Sequence, residues 1–252
     1  MGAYLCKEQA DTRPGYIEGV QPDKVNIIGF SLSADSRALQ LYCLISQIEF
    51  EYIEVNMLRG EHKREEFVKA HPSMHLPVLQ DGPHSVYGST FIQMMHICNR
   101  YQNTLDLDRM NMRANQARCN QLFANFDQRV RPVTKRIRSM LLSKKFGLKP
   151  EPTQEQIERD LAEFNDRILP MFNQQLENKL YFCGEVITGY DLQVFCEINS
   201  IKTIADKTGH AVGLDAQPAV VKWRRCISHI PEVHDKEQEF QMKVSKLLED
   251  GL

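Results

Sequence analysis

Strand-forming sequence is confined to the first hundred residues of this chain of 252, and helical patterning runs from there to the end. Val25-Asn26-Ile27-Ile28 is β-branched and apolar, as a first strand requires. From Ser36 to Ile48, Ala38, Leu39, Leu41, Tyr42 and Ile45 recur at helical spacing. Phe50 to Val55 alternates cleanly and predicts a second strand, completing a β-α-β unit of right-handed crossover length. A polar helix or turn covers Gly60 to Lys69. Leu76-Pro77-Val78-Leu79 then predicts a short strand, Asp81-Gly82 a turn, and Ser85-Val86-Tyr87 the partner strand. Ser89 to Tyr101 returns to helical spacing through Phe91, Ile92, Met95 and Cys98.

Beyond about residue 105, Met112 to Leu142 predicts one long helical stretch, bent near Pro132. Thr153-x-x-Gln156 and Thr188-x-x-Asp191 have the form of helix capping boxes, each followed by an apolar run. The expected organisation is an irregular extension over 1–24, an α/β domain over 25–103 and an all-helical domain over 104–252. The order β-α-β-α-β-β-α resembles the thioredoxin-like arrangement.

A net charge of -2 argues against a general nucleic-acid-binding role. The seven cysteines are odd in number, include no C-x-x-C pair and mostly lie in apolar runs. They read as buried free thiols rather than a disulfide framework or zinc site. No apolar run approaches a membrane span, and Glu8 and Asp11 do not suit a transit peptide, so cytoplasm is the default location. Gly2 invites comparison with a myristoylation pattern, but Cys6 stands where Ser or Thr is wanted.

Several motifs fall in order. Ser33-Ala34-Asp35-Ser36-Arg37-Ala38 resembles the theta-class glutathione transferase turn S-x-x-[SC]-R-A. Arg59-Gly60-Glu61-His62-Lys63 is similar to the theta G-x-H segment. His71 to Leu79 looks like the family's N-P-x-x-x-V-P-x-L stretch, and Gly184 to Leu192 resembles its helical-domain box. The resemblance implies a glutathione transferase fold. It implies glutathione as co-substrate, no metal, a small electrophile as second substrate, and a homodimer or a subunit of a larger assembly.

By that resemblance, Ser33 would be the catalytic hydroxyl facing the glutathione sulfur; read without the surrounding motifs, it would be a plain helix cap or turn serine. Arg37 would be a structural ion-pairing residue. His62 and Lys63 would face the glycine carboxylate, and Leu76, before a cis Pro77, would offer its backbone to the cysteinyl part. Ser89, at a helix start, would bind the γ-glutamyl carboxylate. Departures are also visible. Gly88 stands where the family carries an acid for the γ-glutamyl ammonium, His75 replaces a lysine, His71 an asparagine and Tyr190 an alanine.

His71 and His75 lack further ligands at zinc spacing. Arg129, Arg131, Lys135, Arg136, Arg138, Lys144, Lys145 and Lys149 form a run without an acid, either a solvated helix face or a docking patch. Two functions are therefore expected in competition. One is a transferase with a partly eroded glutathione site; the other is a non-catalytic subunit that keeps the fold as an interaction module.

Overall fold

A computed structural model of the chain describes residues 24–101, 113–147 and 149–249. The expected extension over 1–24 (Lys24 apart), the lipidation question at Gly2 and Cys6, and the join between domains at 103–104 lie outside the described residues. In chain order come β1 (Val25–Gly29), α1 (Ala34–Ile45) and β2 (Phe50–Glu54). Two 3-10 turns (Met57–Arg59, Glu61–Lys63) lead to α2 (Glu65–Ala70), β3 (Val78–Asp81), β4 (His84–Val86) and α3 (Thr90–Arg100). The helical part holds α4 (Arg113–Asn125), α5 (Arg131–Leu141), α6 (Ser143–Phe146), α7 (Gln154–Glu163) and α8 (Leu169–Leu176). It ends with α9 (Gly189–Lys207), α10 (Pro218–Ser228) and α11 (Pro231–Glu249). This is the expected fold class, a thioredoxin-like sheet with its helices followed by a helical domain.

The sheet order is β2-β1-β3-β4, with β1 parallel to β2 and antiparallel to β3. Because side chains alternate across a strand, β1 serves both faces of the sheet. Ile27 and Leu79 enter the main core with α1 and α3. Ile28 and Val78 point the other way and pack with Val55 and Phe67 under α2. Pro77 stands just before β3 rather than inside it. It carries no N–H for a ladder, and its carbonyl instead accepts from Gln93 Nε2 of α3 at 2.7 Å.

The helix expected over 112–142 is interrupted by a π-helical turn at Phe126–Val130, directly ahead of Pro132. A second such turn, Phe164–Ile168, precedes Pro170. A proline cannot donate to the carbonyl four residues back, so the ladder adjusts in the turn before it. Both capping boxes form as the pattern predicts. Asp191 goes further than its box. Fully buried, it accepts the Thr188 hydroxyl and N–H, and also Phe182 N–H and Trp223 Nε1, both at 3.0 Å. Tyr190 is accommodated by an aromatic cluster, edge-on to Phe123, Phe126 and Phe182. Cys43, Cys98, Cys119 and Cys196 are buried free thiols, and Cys183 and Cys226 are half-buried.

The two parts are joined through α1, which lies against α9 and α11. Arg37 of α1 is buried there, paired with Glu237 of α11 and donating to Cys196 O at 3.0 Å and to the Ser200 hydroxyl. Its guanidinium carbon sits 3.6 Å from the Phe240 ring centroid. Removing one member of such a pair leaves the other charge buried alone, which costs about 3–5 kcal/mol. Arg37→Ala is therefore expected to lose that much stability in urea unfolding followed by circular dichroism. Arg37→Ala combined with Glu237→Gln should recover a substantial part of it.

Candidate functional site

The candidate site gathers at the end of the sheet where β1 finishes. Ile28 pairs with Val78, so the turn after β1 lies beside the cis Leu76–Pro77 peptide that opens β3. Leu79 pairs with Val86, and that register leads Gly88 and Ser89 back to the same end. Three predicted segments, at Ser33, Leu76–Pro77 and Gly88–Ser89, thus converge although sequence separates them widely.

Ser33 is the N-cap of α1, its Oγ accepting from Ser36 N–H at a long 3.4 Å. A cap is the expected use of serine at a helix start. Two other serines share the turn, and both are committed. Ser31 gives its N–H and hydroxyl to Glu54 of β2 at 3.1–3.2 Å. Ser36 is buried and accepts from Phe30 N–H at 3.1 Å, close enough to Gly29 that a Cβ there would meet its Oγ at 2.7 Å. Ser33 alone of the three is half-exposed with a proton that donates to no described group.

Ser89 caps α3, accepting from Phe91 N–H at 3.3 Å, and its hydroxyl donates to Asp127 at 2.7 Å. Gly88 before it is exposed at φ +106, with open space where a Cβ would be. A glutamate at position 88 would have room but would adopt a conformation that costs a non-glycine residue about 1–3 kcal/mol. Leu76 is half-buried against the cluster of Ile28, Val55, Phe67 and Val78, while His75 is exposed with its N–H 3.5 Å from Ser73 Oγ.

His62 and Lys63 occupy the second 3-10 turn. Neither hydrogen-bonds to the Ser33, Pro77 or Ser89 segments. His62 Nδ1 is buried without a partner, and desolvation, then the Lys63 charge, lower its pKa. His62 is accordingly a neutral imidazole at neutral pH. His71 is buried against Phe67, its Nδ1 also unpartnered, and burial lowers its pKa.

The helical part contributes residues that local sequence reading misses. Asp127 lies just before α5 and is paired with Arg131 Nε at 2.8 Å. Arg131 also holds Asp35, in the first turn of α1, and Gln193 donates to the same carboxylate at 2.8 Å. Burial would raise the Asp35 pKa, but the Arg131 charge and hydrogen bond, the Arg138 charge and the Gln193 hydrogen bond outweigh it and keep the carboxyl below its ordinary value. The i, i+4 spacing of Asp127 and Arg131 is the one signal visible in the sequence. The basic run is also less free than its spelling suggests. Arg136 pairs with Asp160 and Glu163, and Arg138 pairs with Glu197. Among the described residues, no group of three or more His, Cys, Asp or Glu could hold a metal, and no helix is long and apolar enough to cross a membrane.

A thioredoxin-like sheet with a cis-proline before β3, capped helix starts beside it and a helical domain behind it define the glutathione transferase class of architecture. Family models agree: residues 28–97 match the glutathione S-transferase N-terminal domain, and residues 137–231 match the C-terminal domain. The chain belongs to the glutathione S-transferase family. Among solved structures it is similar to an apo mutant of human glutathione S-transferase T1-1. That similarity has a TM-score of 0.76 and 21% identity, over 90% of this chain and 91% of that one. Poplar glutathione transferase F1 matches with a TM-score of 0.73 and 17% identity, over 87% and 99% of the two chains. A glutathione S-transferase-I bound with lactoylglutathione matches with a TM-score of 0.70 and 20% identity, over 85% and 99%.

A glutathione S-transferase T2 from Arabidopsis thaliana is 20% identical over 218 residues, 84% of this chain and 36% of its own length. A zeta-class enzyme from Euphorbia esula is 27% identical over 85 residues, 34% of this chain and 37% of its own. The chain therefore spans little more than a third of the length of the curated relatives it matches.

The neutral histidines carry a pH consequence. His62 and His71 both have folded pKa values below the unfolded value of about 6.5, so the unfolded chain binds more protons as pH falls below that point. Their stabilising contribution is complete above about pH 6.5 and is lost as pH falls towards the depressed folded values. The urea midpoint should drop between pH 7 and pH 5. His71→Asn, which removes the buried imidazole, should make that drop visibly shallower.

Proposed function

We propose that the protein is a theta-like glutathione transferase that joins the glutathione thiolate to small electrophiles. The observation that carries the reading is Ser33: a half-exposed hydroxyl with an uncommitted proton, at the start of α1, beside the cis-Pro77 turn and the Ser89 helix start. A thiol with pKa of about 8.5 must fall by about two units to be mostly thiolate at neutral pH, which takes about 2.7 kcal/mol of preferential stabilisation. A donated O–H together with the α1 amide groups and dipole is chemistry of that size.

In this reading the thiol proton passes to solvent, and the sulfur, held by the Ser33 hydroxyl, attacks the electrophilic carbon as the leaving group departs with its electron pair. Neutral His62 and cationic Lys63 receive the glycine carboxylate. The Leu76 backbone pairs with the cysteinyl part. Ser89 N–H and the α3 start receive the γ-glutamyl carboxylate. Asp127, which already accepts the Ser89 hydroxyl, takes the γ-glutamyl ammonium in place of the acid missing at Gly88. The γ-glutamyl side is thus rebuilt from the helical part rather than simply eroded.

The competing reading is an interaction module within a larger assembly, and Gly88 is the observation in its favour. Its other support weakens, because Arg131, Arg136 and Arg138 of the basic run are paired within the fold.

Calorimetric titration with glutathione, beside turnover of a panel of small alkyl and aryl halides, separates the two. Wild type should bind at millimolar concentration or better. Ser33→Ala should keep most binding and lose about 10- to 100-fold in turnover, the worth of a hydrogen bond to a charged sulfur. Asp127→Asn should weaken binding by a similar factor. A well-folded wild type that does not bind glutathione would sink the enzyme reading and leave the module.

A further inference from the structure

Ser33 and Ser89 head different helices, and a single guanidinium reaches the acid beside each. Arg131, at the start of α5, donates through Nη1 to Asp35, two residues past Ser33 in the first turn of α1. Through Nε it donates at 2.8 Å to Asp127, the carboxylate that accepts the Ser89 hydroxyl. Its remaining surroundings hold it in place: the guanidinium carbon lies 5.2 Å from the Phe126 ring centroid, and Glu197 adds a further negative charge. Asp35 is faced by Arg131, by the Arg138 charge, and by Gln193 of α9.

We propose that Arg131 is a positioning residue of the glutathione site, fixing the two helix starts relative to each other and cancelling the Asp35 charge that would otherwise oppose a thiolate at Ser33. The inference rests on the reading of this cleft as a glutathione site. Its two effects are separable. The geometric one requires a planar fork that contacts two carboxylates at once, which a lysine ammonium does not reproduce. The electrostatic one requires only that the Asp35 charge be matched or absent. An unmatched carboxylate in the same helix turn as Ser33 opposes ionisation of a sulfur held there, so the bound-thiol titration is expected to move upward by about one pH unit or more.

The test compares wild type, Arg131→Lys, Arg131→Gln, and Arg131→Gln with Asp35→Asn. Glutathione affinity is read by calorimetry, the ionisation of the bound thiol by its ultraviolet absorbance across pH, and folding by circular dichroism. Arg131→Gln should bind glutathione about 10- to 100-fold more weakly and move the thiol titration upward by about one pH unit or more. Adding Asp35→Asn should return the titration towards wild type while the affinity stays low. Arg131→Lys should keep the titration and lose affinity. If Arg131→Gln does not fold, the lysine variant carries the test, and unchanged affinity in it overturns the proposal. Folded variants with wild-type affinity and titration overturn the role of Arg131 alone. A wild type that binds no glutathione overturns the glutathione reading, and this proposal with it.

Discussion

The buried guanidinium of Arg37 is the point on which the two halves of the molecule depend. It stands in α1, the helix that also carries Ser33, and its partners belong to α9 and α11. A charge placed inside a protein must be neutralised and hydrogen-bonded or it opposes folding. Glu237, the Cys196 carbonyl, the Ser200 hydroxyl and the Phe240 ring together meet that requirement. Because all of them lie more than 150 residues further along the chain, α1 is satisfied only once the helical part has docked on it.

The candidate site is assembled across the same junction. The hydroxyls of Ser33 and Ser89 lie at two helix starts of the α/β part, but the acids beside them meet at Arg131 on the helical side. Cation and anions alternate along this seam, from Asp35 to Arg131 to Asp127. Three of the eight basic residues that look like an exposed run in one dimension, Arg131, Arg136 and Arg138, are paired with acids of the fold. Of these, Arg131 joins the helical part to α1, while Arg136 and Arg138 tie helices of the helical part to one another.

Substitutions that look like losses in the sequence also change meaning in three dimensions. Tyr190 in place of a small residue fills an aromatic cluster with Phe123, Phe126 and Phe182, so the helical part gains apolar contact rather than a clash. His71 keeps its place as a buried neutral ring against Phe67, at the expense of acid stability. Gly88 has a backbone conformation that only glycine adopts freely, and the acid expected there has a neighbour, Asp127, on the opposite wall.

What the sequence determined by itself was whatever depends on neighbours along the chain. The strand alternation, the helix spacing, the two capping boxes at Thr153 and Thr188, and the serine caps at Ser33 and Ser89 rest on residues within a turn of one another, where period and side-chain reach decide the outcome. The turn motif around Ser33 and Arg37 and the proline turn at Pro77 were legible for the same reason. Only the tertiary structure decided that, of three serines in one turn, Ser31 is bonded to Glu54, Ser36 is buried against Phe30 and Ser33 is left half-exposed. It also decided that Pro77 faces Gln93, that Asp127 reaches Ser89, and that Arg131 is shared between Asp35 and Asp127. The last three choices join groups from 16 to 96 residues apart. No local period encodes such distances, and they are set by how the sheet, α1 and the helical part pack to bury their apolar faces.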